Sequence, residues 1–196
     1  MDNDYFKGIY RIETARLKNW DYSSDGAYFI TICTKKMMEC FGEIRNGIMG
    51  LNELSCAAAA FWQEIPQHFA HVILDEWVVM PNHVHGVLII NNTPGKTQNV
   101  GTRHVETQNV ASLRRKRNKW KPNRFGPQSK NVASIIRGFK IGVTKYANEQ
   151  KIPFTWQPRF YDRVIRDENE LDRICKYIRQ NLLKWKWDRN NKNSLI

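Results

Sequence analysis

The chain has 196 residues, with 31 Lys and Arg against 19 Asp and Glu, a net charge of +12 and a pI near 9.7. That length suits a single domain, 1–196, whose core stands without staples, and the charge favours a polyanionic partner. No apolar run approaches the roughly 18 residues of a membrane span, and Cys33, Cys40, Cys56 and Cys175 show no C-x-x-C spacing, which disfavours a membrane protein, a disulfide scaffold and structural zinc.

The opening residues are polar and charged, so an intracellular, cytoplasmic location is expected. The first predicted element is a strand over Ala27–Lys35, AYFITICTK, rich in β-branched and aromatic residues and preceded by the turn-like SSDG. A helix is expected over Asn52–His68, where Leu54, Ala58, Phe61, Trp62 and Ile65 recur at helical spacing. Val72–Met80 and His83–Ile90 read as two neighbouring antiparallel strands divided by Pro81-Asn82, since proline cannot donate into a ladder.

Residues from about 91 to 130 are polar and contain TQNV twice, and are expected to form an inserted, mobile loop. The charge excess concentrates there and just beyond. Between Arg103 and Lys145 stand twelve Lys and Arg and one acid, Glu106. Arg114, Arg115, Lys116, Arg117, Lys119 and Lys121, with Trp120 and Phe125 interleaved, and then Arg137 and Lys140, are candidate nucleic-acid contacts. The alternative is a solvated basic loop that serves solubility. A membrane surface fits less well, because LRRKRNKWKPNRFGP has two prolines and no amphipathic period.

Helical periodicity returns at Val132–Asn148, a short strand is expected within Phe154–Ile165, and Asp167 with Glu170 forms a capping-box pattern opening a last helix through ENELDRICKYIRQNLLKW. The order of elements suggests an α+β domain, a ferredoxin-like antiparallel sheet with helices packed on one face.

Residues i and i+2 of a strand share a face, so His83 and His85 project together while Val84 points to the opposite layer. Two such imidazoles can begin a divalent-metal site, and equally can be hydrogen-bonded surface residues; the pair alone does not decide. On the last helix Leu171, Ile174, Ile178 and Leu182 form an apolar stripe, with Tyr177 and Asn181 four apart along one edge. Asn181 could offer an amide oxygen to a hard metal and Tyr177 a phenol beside it, although an edge tyrosine is more often a packing residue.

Three separated stretches together carry a resemblance. RLKNWDYSSDGAYFITICT at Arg16–Thr34, VVMPNHVHGVLII at Val78–Ile90 and TWQPRFYDRVIRDENELDRICKYIRQN at Thr155–Asn181 resemble the single-tyrosine HUH transposases and, within them, the REP-associated tyrosine transposases of bacteria. The resemblance implies the HUH endonuclease type of fold, with His83 and His85 as metal ligands, Asn181 as the third ligand and Tyr177 as the nucleophile. It further implies cleavage and transfer of single-stranded DNA beside hairpins of repetitive extragenic palindromes, through a 5′-phosphotyrosine. Leu182 departs from the proline that such relatives often carry after the asparagine. Two imidazoles and an amide suit several divalent ions, and cellular availability favours Mg²⁺ or Mn²⁺.

Tyr161, in RFYDR, is a rival nucleophile without an asparagine at i+4, and is assigned to packing or DNA contact. Asp75 and Glu76 rank below Asn181 as ligands. The runner-up function is a domesticated, non-cleaving regulator that binds DNA hairpins, against which the complete set His83, His85, Tyr177 and Asn181 argues. An RRM-like RNA module lacks its stacking motif. The expected assembly is a monomer or homodimer associated with the nucleoid.

Overall fold

β-branched and aromatic residues fill β1, Gly26–Cys33, the inner strand around which the rest of the sheet is ordered. The computed structural model describes residues 17, 20–92 and 130–191. After β1, a 3-10 turn at Lys35–Met37 leads to a small hairpin of β2, Gly42–Arg45, and β3, Ile48–Leu51. This hairpin is absent from the expected order. Its turn residues Asn46 and Gly47 both have positive φ, the conformation that an Asn-Gly pair adopts readily in a two-residue hairpin.

Helix α1, Glu53–Gln63, opens with a capping box between Asn52 and Ser55 and breaks at Glu64 before a one-turn α2, Ile65–His68. β4, Val72–Met80, and β5, His83–Ile90, then pair antiparallel. Their bounds match the sequence reading, because the Pro81-Asn82 turn fixes both ends. α3, Val132–Glu149, carries a second capping box, from Asn131 to Ser134. β6, Tyr161–Ile165, and α4, Glu168–Gln180, follow, and then a 3-10 turn at Trp185–Trp187.

The four long strands run in the order β4-β5-β1-β6, every neighbouring pair antiparallel. With one crossover helix after β1 and another after β5, this is the ferredoxin-like order expected from the sequence, in an α+β fold. The helices, however, do not share one face. α1 and α3 bury Leu54, Ala58, Trp62, Ile135, Ile136 and Val143 against Tyr28, Ile30, Ile32, Val84 and Leu88. α4 buries Leu171, Cys175 and Ile178 on the opposite face, against Ala27, Phe29, Val87 and Ile89. The reason lies in the alternation of β1 and β5: both faces of these central strands are apolar, so each demands a cover.

α4 is also shorter than expected. It ends at Gln180, and the chain turns so that Trp185 docks beside the sheet instead of extending the helix. Arg114, Arg115, Lys116, Arg117, Lys119 and Lys121 lie outside the described residues, as does nearly all of the expected loop. Among the described residues no helix is long and apolar enough to cross a membrane.

Candidate active site

β5 pairs with β1 so that His83 stands opposite Cys33 and His85 opposite Thr31. Both imidazoles therefore point to the α4 face, in line with Val87 and Ile89, whereas Val84 enters the core of the other layer. The two rings are wholly buried, their centroids 4.3 Å apart.

A buried imidazole needs its nitrogens accounted for. The Nδ1 of His83 lies 2.7 Å from the Asn82 side-chain oxygen, and the Nδ1 of His85 lies 2.9 Å from the Thr31 hydroxyl. Asn82 in turn donates its amide N–H groups to the carbonyls of Asn190, at 2.7 Å, and Met37, at 3.3 Å. Its oxygen is thus left to accept, so the His83 proton sits on Nδ1 and the Nε2 lone pair is free. That Nε2 is buried and makes no hydrogen bond. Burial pushes the His83 pKa down to about 3, and burial together with the neighbouring ring holds His85 well below the usual histidine range. Both rings are neutral near pH 7, the form in which imidazole binds metal.

α4 brings the phenol. Asp167 caps the helix by accepting from the Glu170 N–H at 2.8 Å, and Glu170 accepts from the Arg166 N–H at 2.8 Å and from Arg163 Nε at 2.7 Å. These contacts tie the start of α4 to β6. Further along, Tyr177 Oη comes within 3.2 Å of His85 Nε2 and 3.3 Å of Asp188 Oδ2. Phe29 supports the arrangement from the sheet, its ring edge-on to Tyr177 and tilted against His85. Tyr177 is 39% exposed, so one side of the phenol remains open. Partial burial and then the Asp188 carboxylate push its pKa up to about 12.

Asn181 follows as the C-cap of α4 and is buried. Its amide lies close enough to the phenol to favour the ionised form slightly, yet neither amide atom makes a well-formed hydrogen bond. A fully buried amide with both ends unspent is costly unless something else uses it. Asp188, not singled out in the sequence, completes the group: one nitrogen from each imidazole and one of its carboxylate oxygens lie within 4.8 Å of one another. The only sequence sign of it is an aspartate between aromatic and basic residues in WKWDR, with no spacing rule linking it to the histidines.

The lesser candidates fall elsewhere. Tyr161 lies on β6, its ring edge-on to Phe29 and under the Arg189 guanidinium. Glu76 pairs with Arg179 at 3.2 Å and Asp75 lies beside Cys175, so neither joins the imidazoles. Lys140 is half committed to structure, donating to the carbonyls of Gln157 at 2.7 Å and Arg159 at 3.0 Å. Arg137 is exposed and, with Lys140, Trp156 and Arg159, lines an open groove of about 990 Å³ beside α3.

A protein of Haemophilus influenzae, described as uncharacterized, is 38% identical over 190 residues, spanning 96% of this chain and 97% of its own. The chain belongs to the family of that protein. No family model matches it. Among solved structures, a REP-associated tyrosine transposase bound to a REP hairpin superposes with a TM-score of 0.52 at 15% identity, covering 87% of this chain and 74% of that one. At that identity the likeness is one of fold, the antiparallel α+β architecture described above.

Proposed function

We propose that this protein cuts and rejoins single-stranded DNA beside hairpins, in the manner of a transposase, with Tyr177 as the nucleophile. The observation that carries the reading is the phenol itself: open on one side, and within hydrogen-bond reach of His85 Nε2 and Asp188 Oδ2 on the other. The fold shared with a hairpin-bound tyrosine transposase supports it.

The Tyr177 oxygen attacks the scissile phosphorus, the phenolic proton passes to a neighbouring acceptor, and the bond from phosphorus to the 3′ oxygen breaks, its electron pair staying on that oxygen, which takes up a proton. A 5′-phosphotyrosine and a free 3′-OH result. The 3′-OH of another strand can reverse the attack, because the phosphodiester has been exchanged for a phosphotyrosine ester and not hydrolysed. With its pKa near 12 the phenol is protonated at neutral pH, so the reaction needs a proton acceptor or positive charge close to the phenolic oxygen.

The donors fit a divalent cation such as Mg²⁺ or Mn²⁺: a free buried Nε2 on His83, a neutral His85, and the unspent amide of Asn181. When bound it would supply Lewis-acid polarisation of the phosphate. His83, His85 and Asn181 are assigned to hold it, and Phe29 to keep His85 and Tyr177 in register. Arg114, Arg115, Lys116, Arg117, Lys119 and Lys121, with exposed Arg137, are assigned to the DNA backbone. Action on chromosomal hairpins would place the protein at the nucleoid.

The test is incubation of the purified protein with end-labelled single-stranded hairpin DNA and Mn²⁺, followed by denaturing electrophoresis. A covalent adduct is expected with the wild type and none with Tyr177→Phe. Retention of the hairpin by both proteins without an adduct, over a panel of flanking sequences, would refute cleavage and favour a hairpin-binding regulator.

A further inference from the structure

We propose that Asp188 is the carboxylate ligand of the site built on His83 and His85, an inference that rests on the metal-assisted reading above. The argument starts from charge. Two neutral imidazoles and the Asn181 amide contribute no negative charge, and a divalent cation drawn among these buried groups without an anion bears an uncompensated desolvation cost. Among the described residues Asp188 is the one carboxylate whose oxygen reaches within 4.8 Å of both imidazole donors. A hard cation of the Mg²⁺ or Mn²⁺ type takes carboxylate oxygen readily, and two imidazoles with one carboxylate make a familiar ligand set for divalent ions.

Its placement is held by the same group that orients the first imidazole. The Asn82 oxygen faces His83 Nδ1, while its N–H group donates to the Asn190 carbonyl, two residues past Asp188. Asp188 Oδ1 accepts from the Asn190 N–H at 2.7 Å, which fixes the carboxylate within its turn. One asparagine therefore sets the tautomer of His83 and the position of the turn that carries Asp188. Such outer partners commonly hold metal ligands in place. Trp185, buried at the start of this turn, packs on the His83 ring and accepts at its carbonyl from Asn191 Nδ2. The other oxygen, Oδ2, faces the Tyr177 phenol. The carboxylate thus lies beside both the Tyr177 phenol and the imidazoles, within reach of a cation that they would hold.

Mn²⁺ alone is the probe, with binding read from loss of the free-ion electron paramagnetic resonance signal and no DNA present. The wild type is expected to bind one ion per chain, and His83→Ala to lose it. Asp188→Asn, isosteric and still able to cap Asn190, is expected to raise the Kd tenfold or more, while its melting temperature in chelator stays at the wild-type value. Asp188→Ser, which also retains a capping oxygen without charge, serves if the asparagine variant folds poorly, and should show the same loss. A wild-type Kd in the folded Asp188 variant, with His83→Ala inactive in binding, overturns the assignment of Asp188 and leaves the proposed function standing. Normal Mn²⁺ binding with loss in Asp188→Asn, but no tyrosine adduct on any hairpin strand, supports the ligand and refutes the nuclease reading. A wild type that binds no Mn²⁺ overturns the assignment.

Discussion

Lowering the pH from 7 to 5 tests the central geometric claim, that His83 is buried as a neutral ring with its proton on Nδ1. Charging it would place a second proton on Nε2, which has no acceptor. Burial, reinforced by the nearby positive charge of Arg189, pushes its pKa down to about 3 in the folded chain, whereas an unfolded histidine titrates near 6.5. The folded value lies below the unfolded one, so the unfolded chain binds more protons below pH 6.5. Stability from His83 is therefore complete above about pH 6.5 and lost as the pH falls toward 3. At pH 5 the unfolded ring is protonated in about a thirtyfold excess and the folded ring hardly at all, which corresponds to roughly 2 kcal/mol. That magnitude hardly depends on the folded value while it stays well under 5. Urea unfolding in chelator at both pH values, for the wild type and His83→Asn, isolates this contribution. Asparagine keeps an N–H near the Nδ1 position, and titrations common to both proteins cancel. The wild type should lose about 2 kcal/mol more than the variant; equal losses would show that His83 is charged or exposed in the folded protein.

Two further outcomes follow from the fold and the charge pattern. Gly86 on β5 faces Trp62, and an added Cβ would sit 2.3 Å from its ring carbon Cζ2. Trp62 is wholly buried and stands edge-on to Phe139, so Gly86→Ala should cost about 1–3 kcal/mol and lower the melting temperature by roughly 2–12 °C; an unchanged melting curve would mean the ring can retreat. Neutralising Arg114, Arg115, Lys116, Arg117, Lys119 and Lys121 should weaken single-stranded DNA binding across sequences and flatten the logarithmic salt slope by at most about 4, from roughly 0.7 per phosphate contact. Fluorescence anisotropy over a salt series measures it, and an unaltered slope would remove this segment from the DNA interface.

The parts of the fold that were legible in the sequence are those where local and tertiary preferences agree. β4 and β5 could be delimited because Pro81 ends one apolar run and His83 begins the next. α3 could be read from Ile135, Ile136, Phe139 and Val143, all of which face the sheet. β2 and β3 were less visible despite Asn46-Gly47, because these strands are mostly exposed and lack the apolar alternation of a core strand. The end of α4 is hidden in the sequence for a different reason. NLLKW contains no glycine or proline to stop a helix, and Asn181 itself still has helical φ and ψ. What turns the chain is distant: Trp185 finds the His83 ring and Asn190 finds Asn82, contacts that local sequence does not announce. The same turn delivers Asp188, which is why the carboxylate could not be anticipated along with the histidines, whose i, i+2 spacing is visible in one strand.

This division bears on how the site keeps its geometry. His83 and His85 are fixed by strand register, but Tyr177 reaches them only through the seating of α4. The helix is held along its length by Leu171, Cys175 and Ile178 against β1 and β5, and at its start by Glu170 bridging Arg163 and the Arg166 N–H. A slip of one turn would move the phenol by about 5.4 Å and break its 3.2 Å contact with His85. The packing of α4 on the sheet therefore sets the distance between the phenol and His85. Placing the apolar seam under Tyr177, and Asp188 on a turn tied to the histidine strand through Asn82, connects each of these groups to the sheet by its own packed route.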